Sequence, residues 1–531
     1  MSSNAFVERL KGLVDDRHVR LGVLLLAVGA VAYATRFGLV TQDDAFISFR
    51  YAEHFVAGHG LVYNPGDWVE GYSNPLWTLM LAGGMFLGMN PVGVSVFLGA
   101  VALLLLLCAL GEGFLRYMPA DWSTLSGARL WALVAVGLLS VESLLLLEAV
   151  EGLETVFYAL LLLLAFLLAL REHRLERAHW GSGVCLALAV LTRPEAPLLV
   201  ILLHFGLLGT ALVSKDGLSV DAFRLQLRRS LLGLLPVAAA VVILVGLRLA
   251  FYGEWLPNTY FAKTGAGADA IPRGVYYLKN HVLSHPVLWG LVVIRWCCGR
   301  WRPSTWMASS LVIGMTAYIV WVGGDFKPTG RFFVPVLPMM AWLAGEVGLV
   351  LLARRWAGLA FAICLAAGSV LMWMGPKRAA FAQRQAAERH ANFEARRLVG
   401  EWLNQTLPAD AVIAIHSAGA IPFYAKRKTI DMWGLSDKHI ARTLPAHMGQ
   451  GMAGHEKTDP DYVFALSPEV YLPEDKVFAL KPWTLEPDRS FSPDFAAHYR
   501  SVSQPIEGRW LNFWVRRDWA FANTRWPESS G

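Results

Sequence analysis

Two adjacent carboxylates, Asp43 and Asp44, follow the first long apolar run of the sequence. One aspartate at such a place is a common helix N-cap, because its side chain accepts hydrogen bonds from the first backbone N–H groups. A second aspartate is more than a cap requires, and carboxylates beside an apolar segment are costly unless they are paired, solvated or used. Carboxylates can take a proton from a hydroxyl, orient that hydroxyl or hold a divalent cation. Asp43 and Asp44 are therefore candidates for catalysis, with a helix cap as the alternative.

More charged residues stand in the short segments between later apolar runs. The acidic ones could position a hydroxyl or a cation, and they are Glu148, Glu151, Glu154, Glu195 and Asp325. The basic ones could bind a phosphate, arginine through a two-pronged contact, and they are Arg193, Lys263, Lys327 and Arg331. Each residue alone is explained equally well as part of a solvated loop. Together they predict one polar site on one face of a helical bundle.

Aromatic residues accompany these charges. Flat apolar rings of the kind on which sugars pack are supplied by Tyr63, Tyr72, Trp77, Trp255 and Tyr260. The same residue types also form the aromatic belt at a membrane interface, which is the alternative. Carboxylates, phosphate-binding cations and ring platforms together predict the transfer of a sugar from a lipid phosphate to a hydroxyl. The sequence contains no glycine-rich phosphate loop, HExxH zinc motif or GxSxG elbow.

The composition defines the scaffold that must position these residues. Hydrophobic residues make up 55% of the 531-residue chain, charged residues only 17%, and the mean hydropathy is +0.43. A disordered chain needs low hydrophobicity and dense charge, and a soluble enzyme needs more surface charge, so both classes are excluded. Apolar runs of about 20 residues predict a polytopic α-helical membrane protein. About eleven spans are expected, at 20–38, 91–110, 129–147, 155–171, 178–192, 196–213, 230–250, 282–298, 303–322, 333–353 and 357–375.

The segment 76–89 is also apolar, but three glycines weaken it, so it is a twelfth span or a helix at the interface. The cysteines lie inside or at the end of apolar runs, so neither a disulfide framework nor a cysteine zinc site is predicted; they are Cys108, Cys185, Cys297, Cys298 and Cys364.

The distribution of lysine and arginine predicts the orientation, because these residues are enriched in cytoplasmic loops. With the N-terminus in the cytoplasm, the inner segments carry about twice as many of them as the outer segments. An odd number of spans then places residues 376–531 outside the cytoplasm. The motif Ala32-Tyr33-Ala34 resembles a signal-peptidase site. We expect an uncleaved span, and cleavage would leave the sidedness unchanged.

Residues 376–531 have a different character, with more prolines, charges and tryptophans and no run long enough to span a bilayer. An amphipathic helix is predicted at 380–404, and strands are predicted at 411–415, 462–466 and 510–515. This pattern predicts a compact α/β domain outside the membrane. Some of its residues could line a sugar groove or could equally be turn and core residues, namely His416, Asp431, Trp433 and Asp437.

Several fragments, in this order, are similar to those of a known enzyme family. The chain resembles the integral-membrane glycosyltransferases of the GT-C superfamily, which use polyprenyl-phosphate sugars. Within them it most resembles the terminal β-(1→2)-arabinofuranosyltransferase (AftB) family. The resemblance covers nearly the whole chain and is most specific at DDAFISFRY (43–51), GHGLVYNPG (58–66) and EGYSNPLW (70–77). The later fragments are EGLET (151–155), RPE (193–195), PNTY (257–260), GGDF (323–326), AGAIP (418–422) and DMWGLSD (431–437).

The resemblance implies a GT-C fold. Residues 1–375 would form the transmembrane catalytic domain with a first external loop at about 39–90, and residues 376–531 an extracytoplasmic α/β domain that helps to hold the acceptor glycan. An essential acidic residue is expected near the start of the first interfacial helix, which matches Asp43 and Asp44. The donor would be decaprenyl-phosphoryl arabinofuranose and the acceptor a cell-envelope arabinan, at the bacterial inner membrane. A divalent cation is left open as a cofactor, and no nucleic acid is expected.

On this basis the donor phosphate is expected at Arg193, Lys263, Lys327 and Arg331. The candidate substrate-binding residues are Arg50, His59, Tyr72, Asn74, Glu151, Glu154, Glu195, Asn258, Tyr260 and Asp325. Two other functions stay open. One is a transporter or flippase for lipid-linked sugars, which would need charges at mid-membrane depth and broken helices in matched halves. The other is a GT-C enzyme that transfers a different sugar to a protein or a lipid.

Overall fold

The structure, a computed structural model of the chain, describes residues 16–38, 40–123, 125, 127–212, 220–327, 330–446, 448–472, 478–485, 491 and 494–526. The basic residues before residue 16 and the lysine between 213 and 219, which contribute to the predicted charge bias, lie outside the described residues. The orientation of the termini therefore stays a prediction.

Within the described residues, seven helices are long and apolar enough to cross a membrane: Asp16–Phe37, Pro91–Tyr117, Thr155–Arg174, Val220–Tyr252, Pro303–Val322, Arg331–Ala353 and Ala357–Thr406. Shorter apolar helices accompany them at Pro75–Phe86, Leu130–Ser140, Trp180–Val190, Ala196–Thr210 and Pro286–Cys297. Each predicted span overlaps one of these helices. The prediction of a polytopic α-helical membrane protein is confirmed.

Two apolar segments depart from simple spans. The segment predicted at 76–89 forms the helix Pro75–Phe86, whose 12 residues rise about 18 Å, well short of a hydrocarbon core of about 30 Å. Other apolar helices of the chain are equally short, so the choice between a twelfth span and an interfacial helix stays a prediction. The stretch Val220–Tyr252 consists of two helices, Val220–Gly233 and Leu235–Tyr252, and the break stands just before Pro236, which cannot donate a backbone hydrogen bond.

The remaining helices are short or amphipathic. They are Asp43–Val56, Ala120–Ser123, Ser143–Glu148, Asn258–Lys263, Ile271–Ser284, Ala420–Ala425, Lys438–Ala441, Pro460–Ala465, Phe495–His498 and Ala520–Arg525, with 3-10 turns at Thr35–Phe37, Gly267–Ala270 and Arg331–Val336. The predicted span 357–375 and the predicted amphipathic helix 380–404 form one continuous helix, Ala357–Thr406, of 50 residues with Pro376 inside it.

The chain divides into two compact units. The first, here called the helical unit, comprises Met1–Leu39, Ser95–Leu244 and Ala270–Ala387. The second, the mixed unit, comprises Val40–Val94, Val245–Asp269 and Glu388–Gly531. The mixed unit thus joins residues of the predicted first external loop to most of the predicted outer domain.

The helical unit packs its helices closely through small residues, as membrane bundles do. A Cβ added at Gly348 would lie 1.8 Å from the Trp131 indole, so the ring occupies the space that a side chain would need. A buried ion pair lies in the same unit. Arg295, fully buried, donates to Glu346 at 2.7 Å, and Thr305 and the Trp342 indole N–H donate to the same carboxylate at 2.8 and 2.9 Å. Its stability depends on both partners being present, because either charge alone would be buried without compensation.

The sheet of the mixed unit has six strands: β1 (Val412–Ile415), β2 (Lys428–Asp431), β3 (Val470–Leu472), β4 (Phe478–Ala479), β5 (Tyr499–Ile506) and β6 (Arg509–Arg516). The spatial order is β2-β1-β3-β6-β4, with β5 paired to β6. The β1 pairs with β2 and β3 are parallel, whereas the pairs involving β6 are antiparallel. Ile413 and Ile415 pack on one side with Val399 and Leu403, whereas Ala414 packs on the other, as the two-residue period of a strand requires.

One predicted strand is wrong. Residues 462–465 belong to the helix Pro460–Ala465, and Leu466 follows it as the C-cap, so 462–466 is not a strand. Asp459 caps this helix by accepting the Tyr462 N–H at 3.0 Å, and Pro460 occupies its first turn. Proline with a preceding aspartate is a favourable helix start, and it outweighs the strand preference of the tyrosine, valine and phenylalanine that follow.

Candidate active site

Asp43 is held by backbone amides that are distant in sequence. Its carboxylate accepts the N–H of Ala420 at 2.9 Å and that of Gly419 at 3.2 Å. Arg396 lies 3.4 Å from the same carboxylate. Asp43 therefore caps the start of the helix Ala420–Ala425 and not that of its own helix, Asp43–Val56, whose N-cap is Gln42. Two amides and a guanidinium therefore hold this carboxylate in place.

Gly419 is needed for this contact. A Cβ at this position would lie 2.1 Å from the Asp43 carbonyl oxygen and 2.5 Å from its Oδ2. Only a residue without a side chain lets the two backbones approach so closely.

A small polar cleft of about 30 Å³ opens beside Asp43. The Thr41 hydroxyl in its wall is buried and has no hydrogen-bond partner among the described residues. Asp44 follows as the second residue of the helix and is half-buried, at the end where the helix dipole favours negative charge. The cleft is lined by Thr41, Gln42, Asp43, Arg389, Asn392, Phe393, Arg396 and Ala420. It can offer a hydroxyl group both a carboxylate and hydrogen-bond donors.

The other first-loop candidates contact the protein itself. Arg50 is buried and donates to the carbonyl oxygens of Tyr63, Pro422 and Arg427 at 2.7, 2.5 and 2.7 Å. Asn74 accepts hydrogen bonds from Ser48 and Thr78, and the Tyr72 and Tyr252 hydroxyls lie 3.2 Å apart, whereas His59 is exposed. The buried residues of this set shape the loop, and their predicted role in substrate binding stays a prediction.

The helix Asn258–Lys263 carries three more candidates. The Asn258 amide donates to the carbonyls of Gly434, Leu435 and Asp437 at 2.9, 3.1 and 3.1 Å, so it holds the turn after β2. Tyr260 and Lys263 are exposed.

In the helical unit, the cations predicted to bind phosphate are buried beside carboxylates. Arg193 contacts Glu154 at 2.8 Å and Glu195 at 2.5 Å. Lys327 contacts Glu151 at 2.7 Å and Glu148 at 3.4 Å. Arg331 lies 2.8 Å from Asp325. The structure thus brings each cation to predicted acidic partners. Among the described residues, no group of three or more His, Cys, Asp or Glu side chains is arranged to hold a metal ion.

A larger cavity, of about 500 Å³, lies in the helical unit around three residues that sequence analysis missed: Glu142, His285 and Arg378. Both carboxylate oxygens of Glu142 accept from Arg378, one of them at 2.5 Å. Nε2 of His285 lies 3.0 Å from the same carboxylate. Glu142 and His285 stand at breaks between consecutive helices, and Arg378 follows Pro376. The available signal was a set of ionisable residues within or just after apolar runs, which marks functional positions in membrane helices.

Asp431, at the end of β2, is buried and accepts the N–H groups of Trp433 and Ser436 at 3.0 and 2.8 Å. These bonds favour the turn-and-core alternative for this residue. Burial nevertheless raises its pKa to about 6, because the hydrogen bonds only partly offset the loss of water. His416 and His455 lie beside the Trp433 ring, with centroids 5.3 and 4.3 Å away.

The raised pKa of Asp431 predicts a pH-dependent stability. The fold holds this proton more tightly than the unfolded chain, whose aspartates titrate near 3.9, so stability should fall as the pH rises from about 4 to about 6. The difference corresponds to about 3 kcal/mol of unfolding free energy. Asp431→Asn should remove this slope, whereas the exposed Asp461→Asn should keep it. Thermal unfolding of detergent-solubilised protein across this range checks both, and an unchanged slope in Asp431→Asn would contradict the prediction.

Comparison with known proteins places this geometry in context. The chain is 30% identical over 280 residues to the terminal β-(1→2)-arabinofuranosyltransferase of Mycobacterium tuberculosis (strain ATCC 25618 / H37Rv), in a match that covers 48% of this chain and 40% of that protein. Residues 382–523 match a family described as a domain of unknown function, DUF8728.

Solved structures show the same fold over most of the chain. ArnT from Cupriavidus metallidurans bound to undecaprenyl phosphate superposes with a TM-score of 0.53 at 14% identity, covering 94% of this chain and 98% of that one. The apo Archaeoglobus fulgidus oligosaccharyltransferase superposes with a TM-score of 0.50 at 13% identity, covering 79% and 65%. These comparisons confirm the predicted GT-C resemblance at the level of the fold.

Proposed function

We propose that this chain is a membrane glycosyltransferase that moves a sugar, foremost arabinofuranose, from a polyprenyl-phosphate donor to a hydroxyl of a cell-envelope glycan. The similarity to an arabinofuranosyltransferase supports the sugar. The fold shared with ArnT, whose structure contains undecaprenyl phosphate, supports the donor class. The reaction belongs on the extracytoplasmic face of the inner membrane, where the predicted orientation puts the aspartate pair.

The observation that carries this proposal is the aspartate pair at the start of the helix Asp43–Val56. Asp43 is fixed by the amides of Gly419 and Ala420 and by Arg396, and it lines the cleft. Asp44 stands next to it, half-buried at the positive end of the helix. We assign the reacting carboxylate to Asp44 and the organisation of the cleft to Asp43.

In the proposed reaction, the oxygen of the acceptor hydroxyl attacks the anomeric carbon of the donor while Asp44 accepts the proton of that hydroxyl. The bond between that carbon and the phosphate oxygen breaks, and the electron pair leaves with the lipid phosphate. The products are the extended glycan and a polyprenyl monophosphate. Polar groups of the cleft, including the Thr41 hydroxyl, are available to orient the acceptor.

The direct test is a transfer assay with purified protein in liposomes. Radiolabelled decaprenyl-phosphoryl arabinofuranose is supplied with an arabinan oligosaccharide, and polyprenyl-phosphate donors of other sugars are run in parallel. We expect label to move to the oligosaccharide, with arabinose transferred fastest and the Asp43→Asn/Asp44→Asn double variant inactive. Movement of the intact lipid-linked sugar across the bilayer without transfer would show a flippase and overturn the proposal. Faster transfer of another sugar would overturn its arabinose part.

A further inference from the structure

The cavity of the helical unit has a cationic end with a carboxylate already in it. Glu142 is 4% exposed and accepts from Arg378 through both oxygens. Its carboxylate also faces His285 and accepts the Leu144 N–H at 3.3 Å. A carboxylate bound in this way by a guanidinium and a ring N–H makes the contacts that a phosphate would make, since both are oxyanions recognised by planar donors.

The His285 ring is held in place through both of its nitrogens. Nδ1 lies 2.9 Å from the His281 carbonyl oxygen, and Nε2 lies 3.0 Å from the Glu142 carboxylate. The ring is supported from one side by His281, with centroids 4.2 Å apart, and His281 stacks on Phe333 at 3.9 Å. The ring nitrogen that faces Glu142 is therefore fixed in position at this site.

A second cation, Lys377, lines the same cavity. The Lys377 ammonium lies 4.2 Å from the centroid of the Trp373 ring. Lys377 and Arg378 together give the cavity more positive than negative charge, so Glu142 neutralises only part of it. The surplus favours an anionic ligand.

The rest of the wall is apolar and reaches the outer surface of the unit. Leu283 is 63% exposed, Trp373 67% and Phe381 41%. Exposed apolar side chains near the end of a predicted span are of the type that contacts lipid at the membrane interface. A cavity of about 500 Å³ with a cationic end and an apolar, surface-reaching wall suits a ligand with an anionic head and a hydrocarbon tail. The apolar wall consists of Leu144, Leu147, Leu283, Trp373, Met374 and Phe381.

We propose that this cavity seats the phosphate of a lipid-borne ligand, and that Glu142 occupies the phosphate position in the ligand-free protein. The phosphate displaces Glu142 from Arg378, and the carboxylate returns when the ligand leaves. The identification of the ligand as a polyprenyl phosphate rests on the proposed function. The inference places its phosphate on residues other than those predicted from the sequence, which are Arg193, Lys263, Lys327 and Arg331.

The two variants at the centre of the site should act in opposite directions. Binding of undecaprenyl phosphate to the full-length protein in nanodiscs is measured by native mass spectrometry, without turnover. Arg378→Gln should weaken binding by at least about tenfold, because a charge-assisted contact is lost. Glu142→Gln should strengthen it by about threefold or more, because Arg378 is no longer held by a competing carboxylate. Arg384→Gln, an exposed arginine on the same helix, should leave binding unchanged.

Several results would overturn the proposal. Equal losses in Arg378→Gln and Arg384→Gln would show attraction by surface charge alone. A loss of binding in Glu142→Gln as large as that in Arg378→Gln, with the thermal midpoint of the wild type, would contradict the displacement of Glu142 by the phosphate. Arg378→Lys keeps the positive charge, so it should recover part of the binding that Arg378→Gln loses. Inorganic phosphate that competes as well as undecaprenyl phosphate would show that the lipid is not recognised and would overturn the proposal. Phosphatidic acid that competes equally well would support a lipid-borne phosphate and identify a phospholipid as the ligand.

This experiment and the transfer assay fail separately. Specific binding of undecaprenyl phosphate without sugar transfer would support the phosphate site and overturn the proposed function. Normal sugar transfer in Arg378→Gln, with unchanged binding, would support the proposed function and overturn the phosphate site.

Discussion

Replacing Asp44 by asparagine is expected to lower the rate of sugar transfer by about 10²–10⁴-fold while leaving the thermal midpoint of the protein unchanged. Asparagine keeps the size of the side chain but cannot accept the hydroxyl proton, and loss of a general base costs this much. Asp44 is half-buried in the first turn of its helix, where loss of the charge costs at most about 1 kcal/mol, too little to account for such a loss of rate. Initial rates of transfer with saturating donor, together with melting curves in detergent, measure both quantities.

Asp43 supplies the matched comparison. Asp43→Ala should lower the thermal midpoint as well as the rate, because it leaves the buried amides of Gly419 and Ala420 without their acceptor. If Asp43→Ala is inactive with an unchanged thermal midpoint and Asp44→Asn is active, the two assignments are reversed and Asp43 is the reacting group.

The second large effect is on stability. Arg295→Met should reduce the free energy of unfolding by about 3–5 kcal/mol, because it leaves the Glu346 carboxylate buried without its cation. Thr305 and the Trp342 indole still donate to Glu346, but neither carries a positive charge. Thermal midpoints and chemical unfolding in detergent give the size of the loss.

The double variant Arg295→Met/Glu346→Leu is its control. Removing both charges at once should recover most of the loss, since an apolar pair of similar volume often replaces a buried ion pair without penalty. A double variant as unstable as Arg295→Met alone would mean that packing around Arg295, and not the uncompensated carboxylate, sets the cost.

The fold followed from local signals to a large extent. The structure has an apolar helix at every span predicted from an apolar run. A membrane helix must satisfy its own backbone hydrogen bonds and cover itself with apolar side chains, so the run itself is the signal. The strands at 411–415 and 510–515 were also predicted, and β1 and β6 confirm them. The error at 462–466 arose where a capping aspartate and a proline at 459–460 outweighed residues that favour strands.

The candidate site was less accessible from the sequence. The aspartate pair was visible because its position is unusual, but the partner of Asp43 lies at Gly419 and Ala420, and no local pattern connects residues so far apart. The pairing of Arg193, Lys327 and Arg331 with buried carboxylates depends on tertiary contacts in the same way. The cluster of Glu142, His285 and Arg378 was missed because each residue alone looks like an ordinary span end.

The contacts of Arg50 and Asp43 also set an order of events during synthesis. Arg50 donates to the carbonyls of Pro422 and Arg427, and Asp43 binds amides at 419 and 420, so their partners are translated more than 370 residues later. Until that last stretch leaves the ribosome, Arg50 can bond only to partners within the first loop, such as the Tyr63 carbonyl, and Asp43 lacks the two amides. Contacts of such long range form late. A nascent or truncated chain with all its apolar spans in place would therefore still lack these contacts of the first loop. Under the proposed function, such a chain would transfer no sugar until the whole polypeptide has been made.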